Sequence, residues 1–176
     1  MSQPNLSQPT ADDIEAIAIQ LGRRPRDVHA ISYRCPCGKP AVVATPPRLS
    51  DGTPFPTFYY ATCPRLTAAI STLETTGMMA EMESRLGTDS AVAAQYAKAH
   101  QSYLNDRDAL GMDVPEVDGI TAGGMPTRVK CLHSLVAHSL STGPGVNPFG
   151  DEALAALPQW WESEPCALEL EERDAK

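Results

Sequence analysis

Five cysteines and four histidines carry most of the metal and nucleophile chemistry open to this 176-residue chain. Cys35, Cys37, Cys63 and Cys131 fall in the body of the sequence. Cys166 lies in an acidic stretch (WESEPCALELEERDAK) with no other cysteine or histidine beside it and reads as incidental. Where thiols stay reduced, grouped cysteines point to metal binding or reactivity before disulfides. Cys35 and Cys37 are two apart, so at a strand end both face the same way and can reach one ion. CPCG resembles a zinc knuckle whose spacer has lost a residue; the plainer alternative is a tight hairpin with two small buried thiols. Cys63 precedes Pro64, and proline favours the first helical position, so Cys63 would be the cap. There its thiolate is favoured by the helix dipole and by nearby Arg65, which suits a metal ligand or a nucleophile, against the alternative of simple packing at a strand end.

The richest segment is GGMPTRVKCLHSLVAHSL. Read as one helix from Pro126, it places Cys131 and His138 within about 20° of each other on one side, with Arg128 and Leu135. Val129, Leu132, Val136 and Leu140 make the opposite, core-facing stripe. His133 then lies about 160° from Cys131, and the CxH pair meets at one ion only if residues 131–133 are extended and the helix starts later. The expected ligand set is Cys63, Cys131 and His138 or His133, with Cys35 or Cys37 as a fourth, holding a soft ion such as zinc. Tyr96, His100, Tyr103 and Arg107 share another helical face. That face is either a packed interface or a site in which His100, like His133, does proton chemistry. Arg128, Lys130 and Arg107 are the side chains expected to hold an anionic small molecule such as a phosphate ester. His29, alone at a strand start, is given no role.

These residues need elements to position them. Thr10 followed by ADDIEAIAIQLG, with Gly22 at the end, reads as a short amphipathic helix. VHAISYRC and AVVAT alternate like two strands of a hairpin about PCGKP, and TFYYATC is a third strand. Seven of the sixteen prolines lie between Pro36 and Pro64, so residues 46–56 form a loop without helix. PRLTAAISTLETTG, MMAEMESRLG and SAVAAQYAKAHQSYLNDRDALG are helical, residues 111–125 are loop, and NPFGDEALAALP holds a brief final helix capped by Asp151. The expected fold is α+β, a small antiparallel sheet of about three strands packed against several helices. Residues 1–10 are expected to be a flexible leader, 11–157 a single domain, and 158–176 a weakly ordered tail.

Charge narrows the function. The net charge is −8, and residues 151–176 carry eight acids against two bases. The body is thus nearly neutral and without the basic face a nucleic-acid binder needs, while the tail acids read as a solubilising segment. Hydrophobic residues make up 42% of the chain, enough to build a core. No apolar run approaches the roughly 20 residues of a membrane span. MSQPNLSQPT lacks the basic and apolar regions of a signal peptide, so a cytoplasmic location is the expectation.

The segments RCPCGKPAVV, DGTPFPTFYYATCP, LETTG, YAKAHQSY, AGGMPTRVKCLHSLVAHSL and GPGVNPFGD together resemble an uncharacterised bacterial family, domain of unknown function 501, in an actinobacterial-type version. The resemblance runs from about Leu21 to Asp151. Its strongest marks fall on Pro54, Phe55, Pro56, Thr62, Cys63, Pro64, Lys130, Cys131, Leu132, His133 and His138. In that family the position of Cys37 is often aromatic, which shifts weight from a four-cysteine site to Cys63, Cys131 and the histidines. Genes of the family tend to lie beside a septum-formation-initiator gene and an exopolyphosphatase gene, which implies a protein partner in division or polyphosphate metabolism. The resemblance implies no established activity.

Three readings follow. The first is a metal enzyme, hydrolytic, with an open coordination position for water. The second is a non-catalytic interaction protein with a closed structural zinc site, binding its partner through surfaces that include the Trp160–Trp161 pair. The third is a thiol enzyme with Cys63 or Cys131 as nucleophile and a histidine as base.

Overall fold

The computed structural model describes residues 5–162 and 166–167. Residues 1–4 of the expected leader, and 163–165 and 168–176 of the expected tail, lie outside the described residues. Thr10 opens helix α1 (Ala11–Leu21) through a reciprocal capping box with Asp13, and Gly22 closes it at φ 66°. Three short strands follow: β1 (Ala30–Arg34), β2 (Pro40–Ala44) and β3 (Tyr59–Ala61). They form one antiparallel sheet in the order β1-β2-β3. The remaining α-helices are α2 (Pro64–Glu74), α3 (Met78–Thr88), α4 (Ser90–Asp108), α5 (Leu132–Thr142) and α6 (Pro148–Ala156), with two short 3-10 turns at Pro115–Val117 and Ala122–Gly124. The fold is α+β, as the strand-then-helix order of the sequence predicts.

The central strand β2 is buried along its whole length because both faces of the sheet are covered. Period-2 alternation sorts the residues. Ile31 and Val43 meet Ile17 of α1 on one face, with Leu21, Val28 and Tyr60 packed around them. Ala30, Val42, Ala44 and Tyr59 join the larger core on the other face, with Leu132, Leu135 and Val136 of α5. Arg34, at the end of β1, donates two hydrogen bonds to Asp13, at 2.7 and 2.8 Å, and so ties α1 to the hairpin. Ser7 exchanges backbone hydrogen bonds with Ile31, so this part of the leader is docked along the sheet edge. In the same way Trp160 is buried and packs edge-on against Trp161.

Helix α5 is the inner helix, with eight of its eleven residues buried. It starts at Leu132 with Cys131 extended as its N-cap residue, six residues later than a helix from Pro126 would. The preceding segment is held instead by the turn before it: the N–H groups of Arg128 and Lys130 donate to the carbonyls of Gly124 and Gly123. Helix α6 crosses α5 closely at Gly150, where an added Cβ would lie 2.2 Å from the Leu135 carbonyl oxygen. The side chain capping α6 is Asn147, which accepts from the Gly150 N–H, and Asp151 sits one turn inside. Asp151 instead accepts from the Gly145 N–H.

Candidate metal centre

The late start of α5 decides which histidine meets Cys131. With residue 131 extended, His133 comes back to the cysteine, and His138 is left two turns down the helix. Opposite them lies α2, which presents Thr67, Ser71 and Glu74 on one face at i, i+4 and i+7. Glu74 Oε1 accepts the N–H of Leu132 at 2.8 Å and lies 3.2 Å from His133 Nδ1. The other ring nitrogen of His133, Nε2, is 3.2 Å from the Thr67 carbonyl and 3.3 Å from Ser71 Oγ. Since a carbonyl can only accept, Nε2 carries a proton, and Nδ1 is the nitrogen turned toward Glu74. One ligand atom each from Glu74, Cys131 and His133 lie within 4.8 Å of one another, all three residues half-buried. This cluster could hold a metal ion.

The electrostatics match the geometry. Burial works to raise the Cys131 thiol, but the His133 ring and the N–H and hydroxyl of Ser134 outweigh it and hold the thiol below its ordinary range. His133 is pushed up to about 9, chiefly by Cys131 and further by Glu74 against the opposing effect of burial. The ring is therefore imidazolium at neutral pH, and it favours ionisation of the Cys131 thiol, as expected for a soft donor at a helix N-terminus.

The other expected site residues are elsewhere. His138 is fully buried, stacked on Tyr59 with Tyr103 edge-on. Its Nδ1 pairs with the Asn147 side-chain amide at 3.2 Å, and burial lowers it to about 4. It is a core histidine and does not join Cys131, because the seven-residue spacing separates the two along the helix axis by about 10 Å. Arg107 is also buried. Its guanidinium donates to the carbonyls of Ile120 and Val117, so it fastens the 111–125 loop, and its Nε lies 3.6 Å from the Asp108 carboxylate. His100 pairs with Thr121 Oγ1 at 3.1 Å, and the Tyr96 hydroxyl donates to the Arg128 carbonyl. The Tyr96–Arg107 stripe is thus an interface that holds residues 117–128, the plainer of its two readings. Arg128 and Lys130 are exposed beside Cys131, with Arg128 3.4 Å from Glu83.

Cys35, Cys37 and Cys63 do not join the Glu74, Cys131 and His133 group. They gather where β1 and β3 end and β2 begins, and Cys166, set aside in the sequence as incidental, is with them: its sulfur is 3.9 Å from that of Cys37. Two participants were thus missed by sequence reasoning. Glu74 had a signal, since it sits in LETTG, one of the segments that carry the family resemblance; Cys166 had none. A groove of about 330 Å³ is lined by Ile17, Val28, Val43, Phe55, Tyr60 and Thr62 among others, and by no residue of either group.

A three-stranded α+β protein with a Glu/Cys/His cluster between two helices is the class these observations define. The chain belongs to the DUF501 family of proteins of unknown function, whose model matches residues 31–155. That span includes Glu74, Cys131 and His133 and stops short of Cys166. No curated protein and no solved structure matches the chain. Among the described residues, no helix is long and apolar enough to cross a membrane.

Proposed function

We propose that this chain is a zinc-dependent hydrolase of anionic, phosphate-containing esters, with Glu74, Cys131 and His133 as the protein ligands. The observation that carries the reading is the convergence of three different donor types within 4.8 Å. Zinc accepts oxygen, sulfur and nitrogen together, and three protein ligands plus one water is the pattern of its catalytic sites. Metal-bound histidines commonly donate their second N–H to a carbonyl, which fixes the ring, and Thr67 stands where that acceptor is needed. Zinc would take the place of the protons on Cys131 and His133, and would supply a bound water acidic enough to attack an ester. Lys130 and Arg128, exposed on the strand of chain that leads into Cys131, are the cations for the substrate's negative charge. Their location suits an anionic substrate better than a neutral one.

The test is hydrolysis of p-nitrophenyl phosphate and bis(p-nitrophenyl) phosphate by the zinc-loaded chain. The expected result is turnover that a chelator abolishes, that zinc restores, and that Lys130→Ala weakens mainly through KM. Zinc binding without turnover of any phosphate ester would refute the hydrolase.

A second reading rests on the Cys131 thiol, made easier to ionise by an imidazolium held by Glu74, an arrangement that also suits a nucleophilic cysteine. Rapid single-site alkylation of Cys131 in zinc-free protein, with turnover unaffected by chelator, would favour it.

A further inference from the structure

We infer that Cys35, Cys37, Cys63 and Cys166 form a second centre, a closed four-thiolate site for a soft divalent cation of the zinc class, which ties Cys166 to the end of the sheet. Three separate parts of the chain supply the sulfurs. Cys35 and Cys37 come from the turn between β1 and β2, where the Cys35 carbonyl accepts the Gly38 N–H at 2.8 Å and Gly38 takes φ 87°. That left-handed position is open to glycine at no steric cost, and it turns the chain so that Cys35 and Cys37 face the same way. Cys63 comes from the junction of β3 and α2, as the N-cap residue of that helix. The N–H groups of Arg65 and Leu66 lie toward its sulfur without closing a capping hydrogen bond. Cys166 arrives from the far end of the chain, adjacent to both Cys37 and Cys63.

The sulfurs run as a connected set: Cys35 beside Cys37, Cys37 beside Cys166, Cys166 beside Cys63. The Cys37–Cys166 separation of 3.9 Å is close to the edge of a zinc–thiolate tetrahedron, about 3.8 Å for Zn–S bonds of about 2.3 Å. Among the described residues only Glu74, Cys131 and His133 have all ligand atoms within 4.8 Å, so the thiol set is wider than an ion needs and binding would draw the sulfurs together. Hydrogen-bond donors stand ready for the charge that remains on four thiolates around a divalent ion. The Gln20 amide donates to Cys166 Sγ at 3.1 Å and also holds the Pro40 carbonyl, and the α2 N-terminus faces Cys63. All five cysteines are free thiols, and binding would release the four thiol protons to solvent with no redox partner required. Four protein ligands leave no position for substrate, so this centre would be structural.

The experiment is zinc stoichiometry and cysteine-by-cysteine alkylation of the full chain, purified under reducing conditions. Cys37 and Cys166 are only half-buried, so the fold alone does not shield them. The expected result is that both resist alkylation in the zinc-loaded protein and react together when a chelator removes one zinc. Cys166→Ala and Cys37→Ala, from different parts of the chain, should each lose one equivalent. On Cys131→Ala protein, zinc X-ray absorption should report four sulfurs at about 2.3 Å. Equal alkylation of Cys37 and Cys166 with and without zinc would overturn the inference, as would retention of all zinc by both variants or a Cys37–Cys166 disulfide. Cys131 is read separately in every arm, so failure at one centre is distinguishable from failure at the other.

Discussion

Glu74, the last residue of α2, accepts the backbone N–H of Leu132, the first residue of α5, at 2.8 Å. This one carboxylate therefore both caps a helix and faces the ring of His133. A helix start satisfied from 58 residues away needs no local capping side chain, and Cys131 supplies none. Capping thus does not depend on the Cys131 sulfur, which faces the His133 ring and Ser134 instead.

The two roles of Glu74 separate by substitution. Glu74→Gln keeps an oxygen for the Leu132 N–H, whereas Glu74→Ala removes it. In chelator-treated protein, Glu74→Ala should cost about 0.5–2 kcal/mol, the usual range for a lost N-cap, and Glu74→Gln well under half of that. Urea denaturation followed by circular dichroism checks the difference. Equal stability of the two variants would mean the cap contributes nothing.

Gly150 is fixed by contact. A Cβ there would lie 2.2 Å from the Leu135 carbonyl oxygen and 2.4 Å from Ser139 Oγ, and the first of these is backbone inside a helix. Gly150→Ala should therefore destabilise by about 2–3 kcal/mol as α6 is pushed off α5, even though alanine is the better helix former by about 1 kcal/mol. Thermal unfolding reads the outcome, and a stabilised variant would show that the two helices cross less closely.

His138 sets an acid limit. Its environment is Tyr59, Tyr103 and the Asn147 amide, with no carboxylate paired to it, and its folded-state pKa is about 4 against an unfolded value of about 6.5. The unfolded chain takes up this proton first as pH falls. The histidine's contribution is therefore complete above about pH 6.5 and is lost progressively toward pH 4, amounting to about 3 kcal/mol. His138→Gln should flatten urea midpoints across that window. Asp13, which Arg34 holds well below the ordinary carboxylate range, acts lower still: its contribution is present above about pH 4 and lost as pH falls further.

The sheet and most helices were legible because their signals are local. Alternation marked VHAISYRC and AVVAT, and Thr10, Gly22 and Pro64 punctuated α1 and α2. The start of α5 was not, since its cap is a side chain on another helix, and a six-residue error there turns Cys131 from His138 to His133. The Tyr96–Arg107 face was legible as a stripe, but not its task, because its polar tips bind backbone carbonyls and a threonine in a loop that periodicity cannot place. Cys166 was invisible for a third reason: only the three-dimensional fold, and no local pattern, brings it to Cys37 and Cys63.

The Cys131 centre is tested most directly by zinc per chain in the unmodified protein and in Cys131→Ala, His133→Ala and His138→Gln, each purified from zinc-supplemented medium. Cys131→Ala and His133→Ala should each fall by one equivalent while His138→Gln keeps the full content. Unchanged zinc in both Cys131→Ala and His133→Ala, or loss of one equivalent in His138→Gln alone, would contradict the Cys131 centre.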